Sequence, residues 1–280
     1  MKDSFLYILF SVIAFSITYS ISLLTKIDLV YNAILFSFLI QWILFIPAYF
    51  FQTEKFYDIS GSFTYIFITT YIYYNSYTTY EFNIGNLILS LLIIIWAIRL
   101  GSFLFFRIKK DGEDKRFRSI KPSPTKFFMT WTLQGMWVSI CSLCAITGMS
   151  SDKGIVINNL FYLGLIIFIL GFSIEVIADY QKTKFRNDPK NKNSFVTSGL
   201  WAYSRHPNYL GEISLWTGIS IISFSSLSNW QFITLISPVF TYILLVHISG
   251  ITFLEVSGNK KWGHLKSYQE YIKKTPRLLF

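Results

Sequence analysis

The run IGNLILSLLIIIWAIRLGSFLFF, residues 84 to 106, carries a single ionisable side chain, Arg99. A helix needs about 20 mostly apolar residues to cross roughly 30 Å of hydrocarbon, so this stretch reads as a membrane span. Its apolar residues are continuous rather than alternating. That excludes an outer-membrane barrel strand, and a helix satisfies its own backbone groups in lipid. Seven further runs of the same kind flank it, at about 4 to 24, 29 to 51, 61 to 80, 127 to 148, 155 to 178, 208 to 226 and 230 to 256. The predicted fold is all-α, a polytopic transmembrane helix bundle of about eight spans. Residues 1–51 read as an N-terminal helix pair and 52–280 as one membrane domain.

Composition points the same way. Of 280 residues, 52% are hydrophobic, 19% aromatic and only 14% charged, where soluble domains carry roughly a quarter charged residues. The 28 Phe, 18 Tyr and 8 Trp exclude a chain too polar to collapse. Cys141 and Cys144 lie inside an apolar run and read as small packing residues. No metal site is expected. The chain opens Met1-Lys2-Asp3 and continues through about twenty apolar residues without a small-residue cleavage site, which reads as a retained span and not a signal peptide.

The net charge of +10 sorts along the chain. Of 25 Lys and Arg, 22 fall at the N-terminus or in the segments around Lys55, 107 to 126, 182 to 205 and 260 to 277; Lys26 and Lys153 fall on the other side. The positive-inside rule then puts both termini and the long loops in the cytoplasm. The charge is topological, and no nucleic-acid partner is expected. The location is a multi-pass membrane protein, of the plasma membrane in a bacterium or the endoplasmic reticulum in a eukaryote. The loop 107–126 reads as plainly solvated.

Ionisable groups within spans cost roughly 2.5 to 3.5 kcal/mol each, and only Arg99, Glu175, Asp179, Glu212 and Glu255 are of this kind. All five sit in or at the cytoplasmic third of their spans, as a shared polar cavity open to the cytoplasm would require. Glu175 and Asp179 lie four apart on one helix face, with Arg186 seven residues further on. His247 reads as a polar residue of the bundle interior and His264 as a loop residue.

The most informative stretch runs Trp201-Ala-Tyr203-Ser204-Arg205-His206-Pro207-Asn208-Tyr209-Leu-Gly211-Glu212. Pro207 suits the first turn of a helix, and a helix N-terminus is an anion site. Arg205, His206, Asn208 and the Tyr203 and Tyr209 hydroxyls cluster around it. A phosphate, a ribose and a planar amide would all find partners there. The bland reading, in which Arg and His mark the water interface and Tyr forms an aromatic belt, explains each residue singly but not their compact order.

This stretch, with Gly171 to Gln181, resembles the C-terminal domain of the steroid 5-alpha-reductase family, and most of all that family's poorly characterised branch, the steroid 5-alpha-reductase-like proteins. Matches at Glu54 to Tyr65, Trp96 to Gly101, Gly112 to Asp114, Ser249-Gly250 with Glu255, and Tyr268 to Tyr271 extend the resemblance from about residue 50 to the end. The resemblance implies an integral-membrane reductase that binds NADPH at its cytoplasmic side, within residues 175–280, and delivers hydride to a carbon–carbon double bond conjugated to a carbonyl in a lipid-like, possibly steroid, substrate. The activity would be that of a 3-oxo-5-alpha-steroid 4-dehydrogenase-like enzyme acting on a CH–CH group. Asp179 would contact the nucleotide, Arg186 a phosphate, and Asn208, Tyr209 and Glu212 the nicotinamide and ribose end. Arg99, Glu175, Tyr203, Arg205, His206 and Tyr271 complete the expected cofactor set. The steroid reductases themselves have Asn where this chain has Glu175. Asp58 and Tyr65 are the catalytic candidates by motif and position.

Two other readings stay open. The isoprenylcysteine carboxyl methyltransferases are similar over the His206-Pro207 and Glu212 region, and would imply S-adenosylmethionine instead; Asp179 and Arg186 favour the dinucleotide. The other is a non-enzymatic lipid-binding protein. A transporter would need inverted repeats, and none is visible.

Overall fold

The computed structural model describes residues 2–279, and the described residues form ten α-helices joined by 3-10 turns and one π-helical turn. They divide into two compact units, one running to Leu160 and including Ile222–Ser237, the other comprising Phe161–Ile221 and the chain from Pro238 onward. Six helical runs are long and apolar enough to cross a membrane. All eight expected segments are helical, but two fall short of that measure. One is diluted by Ser, Thr, Asn and Tyr along its length, the other by Pro207, Asn208 and Glu212 in its first turns.

The first unit contains α1 (Lys2–Leu23), α2 (Asp28–Phe50), α3 (Tyr57–Tyr80), α4 (Ile84–Asp111) and α5 (Pro124–Met149). Its centre is α5, which packs against α1, α2 and α3 and is the most deeply buried of the six long apolar runs. Ser123 caps it by accepting the Lys126 N–H, with Pro124 in the first turn, a pairing that satisfies one free amide and omits another. Cys141 and Cys144 are fully buried within it. Buried polar side chains tie the helices together: Gln41 donates to Thr64 at 2.7 Å, and Trp42 donates to Thr132 at 3.0 Å. At the far end Asn86 donates to the Met149 carbonyl at 3.0 Å and accepts the Ile155 N–H at 2.8 Å.

The charged loop after α4 is not plainly solvated. Buried Glu54, between α2 and α3, accepts the Asp114 N–H at 2.9 Å and pairs with Lys121. A carboxylate at that depth needs both partners, so the expectation of a free loop is corrected: it is fastened at two points.

The second unit contains α6 (Asn159–Asn187), α7 (Pro207–Phe224), α8 (Ile236–Ile243), α9 (Ile251–Trp262) and α10 (Lys266–Lys274). Here α6 and α7 meet backbone to backbone. A Cβ added at Gly171 would lie 2.6 Å from Leu215 N, at Gly211 2.5 Å from Gly171 O, and at Gly218 2.6 Å from Gly164 O. Small residues permit this approach, and no side chain fits at any of the three. The last apolar run, read as one span at 230 to 256, is interrupted: α8 gives way to a π-helical turn, Leu244–Ile248, before α9 begins. His247 in that turn is exposed, which corrects its placement in the bundle interior.

Two outcomes follow from these contacts. Gly218→Leu forces α6 and α7 apart and lowers stability by about 1–3 kcal/mol, the usual cost of overpacking; an unchanged melting temperature in detergent would contradict the close contact. Glu54→Ala releases the loop, so trypsin cuts after Arg116 and Arg118 faster than in the parent protein, and equal cleavage rates would show that the clasp does not hold it.

Candidate functional site

In the second unit the segment ahead of α7 is held from two sides. Gly199 has φ +64° and abuts the Gln181 side chain, where a Cβ would clash; this left-handed turn is what glycine permits. The Leu200 N–H donates to Gln181 Oε1 at 2.9 Å and the Trp201 indole to the Ala178 carbonyl at 3.1 Å, both on α6. Lys182 lies 4.8 Å above the Trp201 ring. From the other side, the Tyr271 hydroxyl donates to the Trp201 carbonyl at 2.7 Å, the Arg205 N–H to the Pro276 carbonyl at 2.9 Å, and Ser204 Oγ to the Arg277 carbonyl at 3.2 Å. The segment that follows α10 thus straps residues 201–206. Phe195 packs into the same corner, its ring 4.9 Å from Tyr268 and 5.6 Å from Tyr271.

Two guanidiniums converge on one carboxylate. Arg205 Nη1 is 2.7 Å from Glu255 Oε1, outside hydrogen-bond angles but well within ion-pair distance, and Arg277 Nη2 is 2.8 Å from Oε2. Arg205 and Glu255 are largely buried while Arg277 reaches outward. His206 is buried, its ring stacked near Tyr209 at 6.0 Å, with Nε2 3.5 Å from Glu255 Oε1. Burial first, then the positive charges of Lys182, Arg205 and Arg277, push its pKa down to about 3. The imidazole is therefore neutral, and its contact with Glu255 is not an ion pair.

Several buried polar atoms here have no hydrogen-bond partner: both ring nitrogens of His206, Asn208 Oδ1 and Arg205 Nε. Leaving such atoms unmatched costs roughly 1–3 kcal/mol each, so a ligand offering donors, acceptors and an anionic group fits them. Tyr271 is different. Its hydroxyl is committed to Trp201, and burial, ahead of its charged and polar neighbours, raises its pKa to about 12, which keeps it a donor.

The expected residues are distributed as follows. Glu175 and Asp179 are buried on α6 and Glu212 on α7, and Gly211 packs directly on the Glu175 backbone. The structure thus brings Glu175, Arg205, His206, Asn208, Tyr209 and Glu212 around the start of α7. Arg186 is exposed near the end of α6, and Tyr203 is 77% exposed. Arg99, Asp58 and Tyr65 belong to the first unit. Arg99 sits 5.2 Å above the Phe103 ring, Asp58 lies 3.8 Å from Arg107, and Tyr65 is buried edge-on to Trp96 at 5.1 Å. In the sequence Glu255 stood out as a charge in a span and as part of the resemblance, with nothing to pair it with Arg205. Arg277 gave no signal among the other cations of its segment, nor did Lys182. Among the described residues no group of three or more His, Cys, Asp or Glu could hold a metal ion.

The family profile described as "Protein of unknown function (DUF1295)" matches residues 44–275. The chain is 30% identical over 109 residues to a protein named "Probable O-methyltransferase" from Ustilaginoidea virens, covering 33% of this chain and 38% of that one. It is 26% identical over 113 residues to 3-oxo-5-alpha-steroid 4-dehydrogenase 1 of Bos taurus, 40% of this chain and 38% of the relative. With 3-oxo-5-alpha-steroid 4-dehydrogenase 2 of Homo sapiens it shares 34% over 65 residues, 23% and 26% of the two chains. The matched stretches span less than half the length of each of these relatives. No solved structure matches the chain.

The His206 environment has a pH signature. Its folded pKa, about 3, lies below the ordinary value near 6.5, so the unfolded chain binds more protons and stability falls as pH drops from about 6.5 toward 3. His206→Gln removes that contribution, and its melting temperature declines less over this range than that of the parent protein; parallel curves would mean that His206 is not buried neutral.

Proposed function

The chain belongs to the DUF1295 family, and from that footing we propose that it is an integral-membrane reductase that binds NADPH at the cytoplasmic end of its second unit. The substrate class is a lipid-like molecule with a carbon–carbon double bond conjugated to a carbonyl. The observation that carries this reading is the convergence of Arg205 and Arg277 on Glu255 beside a helix N-terminus and a buried neutral imidazole. When bound, NADPH supplies the hydride for the reduction.

The chain's own residues would then act as follows. Arg205 and Arg277 hold a phosphate through charge-assisted hydrogen bonds, with the amides at the start of α7 adding to the anion seat and Arg186 a further cation. Neutral His206 presents one donor and one acceptor; with the Asn208 amide and the Tyr209 ring it suits a planar carboxamide or base. Glu175, Asp179 and Glu212 accept from ribose hydroxyls. Tyr271 contributes by fixing the Trp201 backbone. Tyr203 would meet the ligand at its outer edge. Tyr65 is proposed, by motif and position alone, as a hydrogen-bond donor to a carbonyl oxygen as negative charge develops there. Asp58, beside Arg107, and Arg99 complete the proposed set.

A methyltransferase using S-adenosylmethionine is the second reading, supported by the identity to a protein named as an O-methyltransferase. The local charge argues against it. Arg205, Arg277 and Lys182 offer cationic partners for the several phosphates of a dinucleotide, whereas S-adenosylmethionine carries none.

Thermal melts of the detergent-purified protein separate the readings. NADPH at about 100 times its Kd should add about 2.7 kcal/mol of apparent stability, and S-adenosylmethionine none. Asn208→Ala and Arg277→Ala should each lose the NADPH shift while still inserting in the membrane. A shift with the methyl donor alone supports the second reading; a shift with neither supports a lipid-binding protein without this chemistry.

A further inference from the structure

Between α3 and α4 the first unit carries an open furrow whose shape follows from side-chain size. Its floor is small: Ser62 on α3, Ala97 and Gly101 on α4. A Cβ on Gly101 would lie 2.4 Å from the Ser62 hydroxyl, so the two helices approach closely along this line. The walls are large and turned outward, with Ile59 and Phe63 from α3 facing Ile98 from α4, all three exposed. Between floor and walls lies a cavity of about 230 Å³.

A second cavity, of about 280 Å³, is lined by Lys55, Phe105 and Lys109. Phe105 stands one helical turn beyond Gly101, Lys109 one turn beyond Phe105, and Lys55 four residues ahead of Ile59, so the two cavities succeed one another on the same side of the helix pair. The furrow is therefore apolar along its length and cationic at one end. From Ala97 to Lys109 it extends about 18 Å at 1.5 Å per residue, close to the ~15 Å of hydrocarbon in one leaflet. The cations around that end differ in their commitments. Arg107 faces Asp58 at 3.8 Å and Lys121 pairs with Glu54, whereas among the described residues no ion pair involves Lys55 or Lys109, both exposed.

We propose that the furrow seats one phospholipid with an anionic headgroup, an acyl chain lying against Ser62, Ala97 and Gly101 and the phosphate between Lys55 and Lys109. The sorting of Lys and Arg along the chain assigns this end to the cytoplasmic leaflet, whose anionic lipids attract basic groups at the membrane surface. A zwitterionic headgroup already carries a cation beside its phosphate and gains less from the two ammonium groups. A second copy of the chain fits worse. A closed two-fold pair brings the same patch of each copy together, which would set Lys55 and Lys109 against their own counterparts. The seat lies wholly in the first unit and does not depend on the reductase reading.

The test uses the full chain, delipidated in neutral detergent and titrated with phosphatidylglycerol or phosphatidylcholine of the same acyl chains, with bound lipid counted by native mass spectrometry. One phosphatidylglycerol should be retained at concentrations where phosphatidylcholine is not, and Lys55→Gln with Lys109→Gln should weaken that retention about fivefold for each lysine. Both lysines are exposed, and an unchanged melting temperature verifies the fold of the variant. Lys115→Gln with Lys190→Gln, two exposed lysines that line neither cavity, removes the same charge and should leave retention unchanged. Glycerol 3-phosphate, which offers the phosphate without acyl chains, should not compete. Equal retention of the two lipids, equal losses in the two double variants, or displacement by glycerol 3-phosphate at matched concentration each overturn the seat. So does an Ile98→Cys protein that oxidises to disulfide-linked pairs in vesicles, Cys141 and Cys144 being buried, because a second copy would then fill the furrow.

Discussion

Hydrocarbon offers no hydrogen-bond partner, and everything in this protein is arranged around that deficit. Hydroxyls within the helices return to carbonyls of their own turn, as Thr18 does to Ala14 at 2.7 Å and Ser142 to Val138 at 2.7 Å. Asn86 closes the far end of the first unit by joining α4, α5 and the segment after α5. Association between helices cannot draw on the hydrophobic effect when the surroundings are equally apolar, so α6 and α7 associate through glycine contacts that bring backbone against backbone. The same contacts carry Glu175 and the start of α7 into one corner.

Charge obeys the same rule. Three inward-turned carboxylates, one buried and two partly so, are matched to cations: Glu54 to Lys121, Asp58 to Arg107, Glu255 to Arg205 and Arg277. Breaking a buried pair leaves an uncompensated charge, which costs more than the pair contributes. These pairs therefore act as positional constraints, fastening a loop in the first unit and a strap in the second.

The spans were legible because length and continuous apolarity are local properties, and the sorting of Lys and Arg is a statistic of the whole chain. The order Arg205-His206-Pro207-Asn208 also announced its place, since Pro207 admits few positions in a helix. What stayed hidden depends on pairing across sequence distance. Nothing in the spacing of Glu54 indicates Asp114 or Lys121, and nothing distinguishes Arg277 from Lys273 or Lys274 until the strap is folded. The break at Gly250 was invisible for a different reason. An isolated Gly after Ser249 in an apolar run has the same composition whether or not the helix continues, and only the approach of Tyr209 and the Leu245 carbonyl decides it. Tyr203 shows the converse: nothing in its spacing within that order indicates that its side chain is 77% exposed.

Glu255 also has a kinetic meaning. Because one carboxylate already pairs with both guanidiniums, an anion that took Arg205 and Arg277, as proposed, would displace Glu255 instead of water alone. The arginines exchange one counter-ion for another without standing bare in a half-buried corner. Such an arrangement weakens equilibrium binding but lowers the barrier to leaving, since the carboxylate is in place to receive the cations as the anion departs. On the proposed reading, the corner would favour exchange of its occupant over retention.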